Sequence, residues 1–233
     1  MPGITIVQSA VGTYGALGSL DALPVAFTSD NSIGNILLAW VSSAEGGGLT
    51  GAITDSNGNT WELLPGVNLE DEFTEFYICT NCNAGANTVT AGGCIPSSTG
   101  GPNLVIVEIA PPPCPIGSTG IQAFCGDYRN QFVTATLSLT ARYSANQGPW
   151  YHSLIVALYN NTNSESNTAR TWVGGALIAQ FPEFSGKNSG AIGYQTVAYP
   201  NSGSTVTFTP TPSTPALNPD ENILIGVLFS TQA

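Results

Sequence analysis

The chain has 233 residues, enough to bury a substantial core, and all-β domains of about this size often stand as single units. Only 8% of the residues are charged and 42% are hydrophobic, while 27 glycines and 16 prolines favour short strands and turns over helices. The formal net charge of -11 argues against nucleic acid and anionic lipid surfaces as partners, because their phosphates would repel the chain. No apolar run approaches the length of about 20 residues that a membrane-spanning helix needs.

The first ten residues, MPGITIVQSA, lack the basic region and the long apolar stretch of a secretory signal. With Met1 as a true start, we expect the chain to remain where it is made or to leave the cell in a particle released by lysis. A leader that has already been removed is the alternative.

Four apolar runs predict strands buried at the centres of sheets: NILLAWVSS from Asn35, NLVIVEIA from Asn103, SLIVALYN from Ser153 and NILIGVLFS from Asn222. Between them, the alternating stretches ITIVQSA, NTVTA, QFVTATLSLTARY and STVTFTPT predict strands with one face in water. The spacing from the first run to the second nearly equals that from the third to the fourth. We therefore expect the first and last apolar strands of each half to pair in the core.

This spacing predicts one domain over residues 1–233, with pseudo-halves at about 1–110 and 116–233. Proline clusters at 111–115 and 210–219 predict connections that lie outside the strand ladders, and the first of them would join the halves. The predicted fold class is all-β, a two-sheet antiparallel sandwich of the jelly-roll or concanavalin-like type.

The stretch TDSNGNTW has two interpretations. Asp55, Asn57 and Asn59 alternate like the first oxygen ligands of a calcium loop, but the Gly and Glu that such a loop needs at its sixth and twelfth positions are missing. Asn57 and Gly58 also favour a type I′ hairpin between strands on either side, and we predict this hairpin. A looser calcium site remains the alternative.

Five cysteines allow disulfides or a zinc site. Cys114 and Cys125 bracket a short loop that a disulfide would close well, Cys82 and Cys94 are the next candidate pair, and Cys79 is expected as a buried free thiol. A zinc site built from these cysteines is the less favoured alternative, because only one C-x-x-C pair is present.

No residue set predicts catalysis strongly, and we expect no cofactor. His152 is the only histidine and no G-x-S-x-G motif accompanies it, which argues against a serine triad. The enzymatic alternative is a glycoside hydrolase that uses Glu108 and Glu62 as carboxylates. Glu108 lies within LVIVEIA, where burial would raise its pKa toward that of a useful acid.

Aromatic residues beside predicted turns are candidates for stacking on sugar rings. They are Trp61, Trp150, Tyr151, Trp172 and Tyr194.

The succession GNILLAWVSSA, ITDSNGNTW, FYICTNCNAGANTVTA and NLVIVEIA resembles a β-sandwich module of bacterial and phage-associated proteins, with the pattern GNLLVVAVS, VTDSAGNTY, YYAKNIAGGANTVTV and LRVAEYSG. YHSLIVALY and residues 193–229 resemble its return strands, so the likeness covers most of the chain. The resemblance implies a lectin-like jelly roll and carries over no catalytic residue. The chain departs from the pattern at Cys82, at Cys94 and in the proline-rich insert after Ile109.

Taken together, these features predict a non-catalytic structural or adhesion protein of a virion or extracellular surface, of the decoration, tail-tip or fibre type. Its expected partners are copies of itself, as a homo-oligomer or lattice, or other particle proteins, and not nucleic acid or the membrane interior. A secreted or surface carbohydrate-binding module that binds glycans is the alternative.

Overall fold

The computed structural model of the protein describes residues 4–13, 22–43, 48–64, 67–69, 72–95, 102–110, 119–124, 128–130, 137–140, 150–161, 170–173, 176–181, 188–199, 205–212 and 221–232. These residues form twenty strands and no helix. All paired strands run antiparallel, so the predicted all-β class is confirmed. The described residues therefore offer no helix that is long and apolar enough to cross a bilayer.

The strands of the first half are β1 (Thr5–Thr13), β2 (Ala22–Ala26), β3 (Ile36–Ser43), β4 (Gly48–Leu49), β5 (Ile53–Asp55), β6 (Glu62–Leu63), β7 (Val67–Leu69), β8 (Glu72–Cys79), β9 (Thr88–Gly92), β10 (Cys94–Ile95) and β11 (Asn103–Ala110). Those of the second half are β12 (Thr119–Phe124), β13 (Tyr128–Asn130), β14 (Leu137–Thr140), β15 (Trp150–Asn161), β16 (Arg170–Val173), β17 (Ala176–Phe181), β18 (Asn188–Tyr199), β19 (Thr205–Pro212) and β20 (Glu221–Gln232).

The four apolar runs form β3, β11, β15 and β20, and each of these strands has an in-sheet neighbour on both sides. β3 pairs with β11, and β15 pairs with β20. The predicted pairing of the first and last apolar strands of each half is thus confirmed. A strand covered on both faces needs apolar residues at consecutive positions, which explains why these runs do not alternate.

The two halves share one strand order. The first large sheet has the order β1-β11-β3-β8-β6, with β7 also on β8, and the second has β12-β20-β15-β18-β17, with β13 also on β20. The first small sheet is β2-β9-β5 and the second is β14-β19-β16. β4 and β10 form a separate ribbon in the first half. The predicted proline-rich connection at 111–115 lies outside the described residues.

The first large sheet is buried on both faces. Every residue of β3 is buried, and successive side chains enter two different cores. The inner core contains Leu38 and Trp40 together with Ile155 and Ile192 of the second large sheet. The outer core lies against the first small sheet and contains Leu37, Ala39, Val41, Leu23, Val25 and Val89. The first small sheet, the first large sheet and the second large sheet therefore form successive layers.

This layering corrects the predicted number of sheets. The described strands form five sheets rather than two, and one large sheet is a middle layer between two others. The sandwich character holds, but the near-continuous apolar runs also allow a sheet to be covered on each face.

The predicted hairpin at Asn57 and Gly58 is wrong in its pairing. A turn forms, but its central residues are Ser56 and Asn57 rather than Asn57 and Gly58, because the N–H of Gly58 points to the carbonyl oxygen of Asp55 at 3.4 Å. Gly58 follows the turn with a φ of 66°. However, β5 before the turn pairs with β9, and β6 after it pairs with β8. The turn therefore carries the chain from the small sheet to the large sheet, because turn chemistry sets local backbone shape and not the choice of strand partner.

The second proline cluster is partly in a strand. Pro210 and Pro212 belong to β19, where they pair only with β16 among the described strands, since β14 pairs with residues 205–208. A proline is tolerated where one side of a strand carries no ladder, because its missing N–H is not needed there. The prediction that this cluster lies outside the ladders is wrong for these prolines, and residues 213–219 lie outside the described residues.

Candidate functional site

Three loops meet at one end of the first half and form what we call the polar loop cluster: residues 27–35, 56–61 and 80–87. Asn31 and Gly85 exchange backbone hydrogen bonds of 2.9 and 3.0 Å. Cys82 N–H donates to the carbonyl of Asn35 at 2.9 Å, and Gly34 N–H donates to the carbonyl of Cys82 at 3.0 Å. The Asn, Gly and Ser residues of these loops suit such turns, since their side chains or their conformational freedom favour bends.

Asp55 holds the turn within the cluster. Its Oδ1 accepts the backbone N–H groups of Asn57 at 3.1 Å and Asn59 at 3.0 Å. Its Oδ2 accepts the amide of Asn59 at 2.7 Å, the indole N–H of Trp61 at 3.1 Å and the amide of Asn87 at 3.3 Å. Burial raises the pKa of Asp55, but these hydrogen bonds outweigh it, so that its pKa lies below the ordinary value.

The surroundings of Asp55 favour a turn rather than a calcium ion. A calcium ion binds six to eight oxygen ligands, whereas the groups that face both oxygens of Asp55 are N–H donors. The side-chain oxygen of Asn59 also accepts a hydrogen bond, from the backbone N–H of Asn83 at 2.8 Å. Nor do the described residues place three His, Cys, Asp or Glu side chains where they could hold a metal ion.

Glu108 is the second carboxylate of the cluster, and its exposed fraction is 0%. Its Oε2 accepts the amides of Gln8 at 2.6 Å and Asn31 at 2.9 Å. Its Oε1 accepts the backbone N–H of Ser32 at 2.9 Å and the amide of Asn35 at 2.7 Å. A buried carboxylate is stable only when hydrogen bonds replace its hydration, and here each oxygen accepts two.

The predicted pKa shift of Glu108 has the wrong direction. Burial does raise the pKa of Glu108, as expected. The hydrogen bonds from Gln8, Ser32, Asn31 and Asn35 lower it by more than burial raises it, so the pKa lies below the ordinary value. A general acid must hold a proton near the working pH. Glu108 is instead ionised at neutral pH and ties β1 and the 27–35 loop to β11.

Glu62 does not form a catalytic pair with Glu108. Glu62 lies opposite Ile78, an inner-core residue, whereas Glu108 lies opposite Leu37, an outer-core residue. Directly paired residues project on the same face of a sheet, so the two carboxylates lie on opposite faces. β6 and β11 are also three strand spacings apart, about 14 Å, whereas the two carboxylates of a glycosidase lie about 5 to 9.5 Å apart.

The structure describes the side chains of two of the five predicted aromatic residues, and these two lie against different cores. Trp61 is half-buried against the outer core, with its indole N–H bound to Asp55, and Tyr194 is half-buried against the inner core. Trp150 and Tyr151 lie in β15 and Trp172 lies in β16, but their side chains are outside the described part of the structure.

Cys79, Cys82 and Cys94 are buried free thiols, which confirms the expectation for Cys79 and corrects the predicted disulfide between Cys82 and Cys94. Cys82 Sγ donates to the carbonyl of Ser32 at 3.1 Å, and Cys94 Sγ donates to that of Ala91 at 3.3 Å. Burial, with Glu108 and Cys79 nearby, raises the pKa of Cys82 to about 11. These thiols act as small apolar side chains rather than nucleophiles. The predicted pair Cys114 and Cys125 lies outside the described residues.

Sequence reasoning missed the residues that bind Glu108. Gln8, Asn31 and Asn35 carry no recognisable motif, and Gln8 is 100 residues away along the chain. The available signal was the charged residue inside LVIVEIA, because a buried carboxylate requires several donors. Asn31 and Asn35, just before a central strand, were the donors to consider.

No known protein family matches this chain, and no match is found among curated proteins or solved structures. The geometry of the described residues is therefore the basis for assigning a function.

Proposed function

We propose that this protein is a non-catalytic structural or adhesion β-sandwich of a virion or other particle surface, of the decoration, tail-tip or fibre type, which self-assembles. The observation that carries this proposal is the role of Asp55 and Glu108. Asp55 accepts five hydrogen bonds and Glu108 accepts four, and these bonds fix loops to strands, so that neither carboxylate faces a substrate.

The layered sheets support the same proposal. The two large sheets share the inner core, and the hydroxyl of Ser153 in the second half accepts the N–H of Ile4 in the first half at 3.3 Å. A stack of sheets with bonded loops suits a durable surface, since local unfolding begins where backbone groups are poorly bonded and poorly packed.

The proposal also includes the type of sandwich and the family to which the chain is related. We assign the chain to a jelly-roll-like sandwich related to the bacterial and phage-associated module that the sequence resembles. The shared strand order of the halves supports this assignment, as does the pairing of their first and last apolar strands. Its partners are then further copies of the chain or other particle proteins.

The assembly state of the purified protein tests the proposed function. We expect light scattering on a sizing column to give a mass above that of one chain, and negative-stain images of the same fractions to contain regular oligomers, filaments or shells. A monomer at every concentration, with no assembly in the images, would overturn the proposal.

A surface carbohydrate-binding module is the second candidate, and the position of Trp61 favours it. The indole is half-buried and its N–H is bound to Asp55, so its orientation is set before any ligand arrives. Titration with soluble polysaccharides should then change the tryptophan fluorescence of the protein, and Trp61→Phe should abolish that change. An unaltered spectrum with every polysaccharide would exclude this candidate.

A further inference from the structure

β1 is an edge strand of the first large sheet among the residues that the structure describes. Among the described strands its only in-sheet neighbour is β11, and its sequence TIVQSAVGT contains neither charge nor proline. A bulge lies between Ile6 and Gln8, and from Gln8 to Thr13 the strand is regular. An exposed regular edge presents unpaired N–H and C=O groups to another strand unless charges, prolines or bulges protect it.

Exposed apolar side chains accompany this edge. Six large apolar side chains are exposed among the described residues, and three of them lie on β1 or on β17, so the apolar surface concentrates here: Val7 at 46%, Val11 at 37% and Leu177 at 41%. β17 is the edge of the second large sheet, and Ser9 of β1 donates its hydroxyl to the carbonyl of Ile178 at 3.3 Å. The β17 sequence ALIAQF is also without charge. We call β1 and β17 together the uncharged side.

The opposite edge of the first large sheet carries an acidic residue. Glu62 begins β6, the edge strand there, and it is exposed. In a chain with a net charge of -11, two copies that met through this edge would bring carboxylates together. Two copies that met through the uncharged side would not.

From these observations we propose that the uncharged side is where a second copy of this chain docks, by antiparallel pairing of β1 with β1 of the other copy. The inference rests on the proposed self-assembly and names its surface. A strand that pairs with its own copy in antiparallel fashion gives a two-fold interface in which both subunits use the same residues. Val11, in the regular part of β1, is β-branched, and such side chains pack well across paired strands.

The test places a charge on the proposed edge of the full chain and an equal charge elsewhere. The double variant Val7→Glu/Val11→Glu should raise the concentration needed for association about tenfold or more, because the two-fold axis brings the new carboxylates together. The matched control is the double variant Leu63→Glu/Ile95→Glu, at residues that are 50% and 39% exposed on β6 and β10, and it should associate like the wild type. Light scattering over a dilution series measures both, with circular dichroism to verify folding.

Hydrogen exchange of the wild type gives a second measurement that does not depend on a variant. We expect the amides of β1 to exchange more slowly in a concentrated sample than in a dilute one, and those of β6 to be unchanged. A Val7→Glu/Val11→Glu variant that is folded and associates like the wild type, or equal exchange of β1 at both concentrations, would overturn this interface and leave self-assembly standing. A wild type that stays monomeric would overturn self-assembly itself.

Discussion

The first and second halves of the chain share a strand order but differ in how their strands are connected. In the first half, residues 56–61 join the small sheet to the large sheet through the turn that Asp55 holds, whereas in the second half only residues 174–175 separate β16 from β17. β11 contains Glu108, but β20 has no ionisable side chain between Glu221 and Gln232. The strand frame that the halves share therefore depends on apolar runs and pairing, while Asp55 and Glu108 secure loops of the first half.

Of the changes considered, removing the carboxylate of Glu108 should lower the free energy of unfolding most. Glu108→Ala leaves four donors without an acceptor in a buried place, and we expect a loss of about 3 to 5 kcal/mol in the free energy of unfolding. Urea denaturation measures it. Glu62→Ala, at an exposed residue, should change stability by less than about 0.5 kcal/mol. Equal effects of the two substitutions would mean that Glu108 does not hold the loops.

Asp55→Ala should have a smaller effect, about 2 kcal/mol, because the turn is only partly buried and water can replace some of the lost bonds. The tryptophan fluorescence should shift as well, since the indole of Trp61 loses its acceptor. A variant with wild-type stability and an unchanged emission spectrum would contradict the role given to Asp55.

Acid should weaken the first half through both carboxylates. The pKa values of Asp55 and Glu108 are lowered in the folded protein, so the unfolded chain takes up protons at a higher pH. Their stabilisation is therefore complete above about pH 5 and is lost as the pH falls through the folded values. Protonation leaves both side chains in place, so we expect a smaller loss than on truncation. Urea midpoints at several pH values measure it, and Glu108→Gln should flatten the curve. Greater stability in acid would contradict this sign.

Gly58→Ala examines the backbone of the turn alone. Gly58 has a φ of 66° and an added Cβ would meet no atom within 4 Å, so only the left-handed conformation opposes the substitution. We expect a loss of about 1 kcal/mol, measured by thermal unfolding. A gain in stability would show that the turn adopts another conformation in solution.

Calcium should have the smallest effect, because N–H groups already occupy the oxygens of Asp55. We expect the same melting temperature in excess calcium and in chelator. A clear rise with calcium would show that the turn rearranges to bind the ion, since a ligand that prefers the folded state stabilises it.

The candidate site was only partly predictable from the sequence. A turn beside Asn57 was predicted, because turn chemistry involves neighbours along the chain, and Asp55 indeed bonds residues two and four positions ahead. The lowered pKa of Glu108 was not predictable. Its direction depends on Gln8, Asn31 and Asn35, which approach only after β1, β3 and β11 have paired.

The all-β class and the four central strands could be predicted from the sequence, because long apolar runs must be buried and turn residues interrupt them. The nearly equal spacing of the runs also predicted their pairing within each half. Only the tertiary structure decided which strands accept β5 and β6, which core each face of β3 enters, and that Glu108 is ionised. The physical reason is that burial and local turn shape depend on residues near one another in the chain. The partners of the short strands β5 and β6, the layer order and the donors around a carboxylate depend on contacts between residues that are far apart in it.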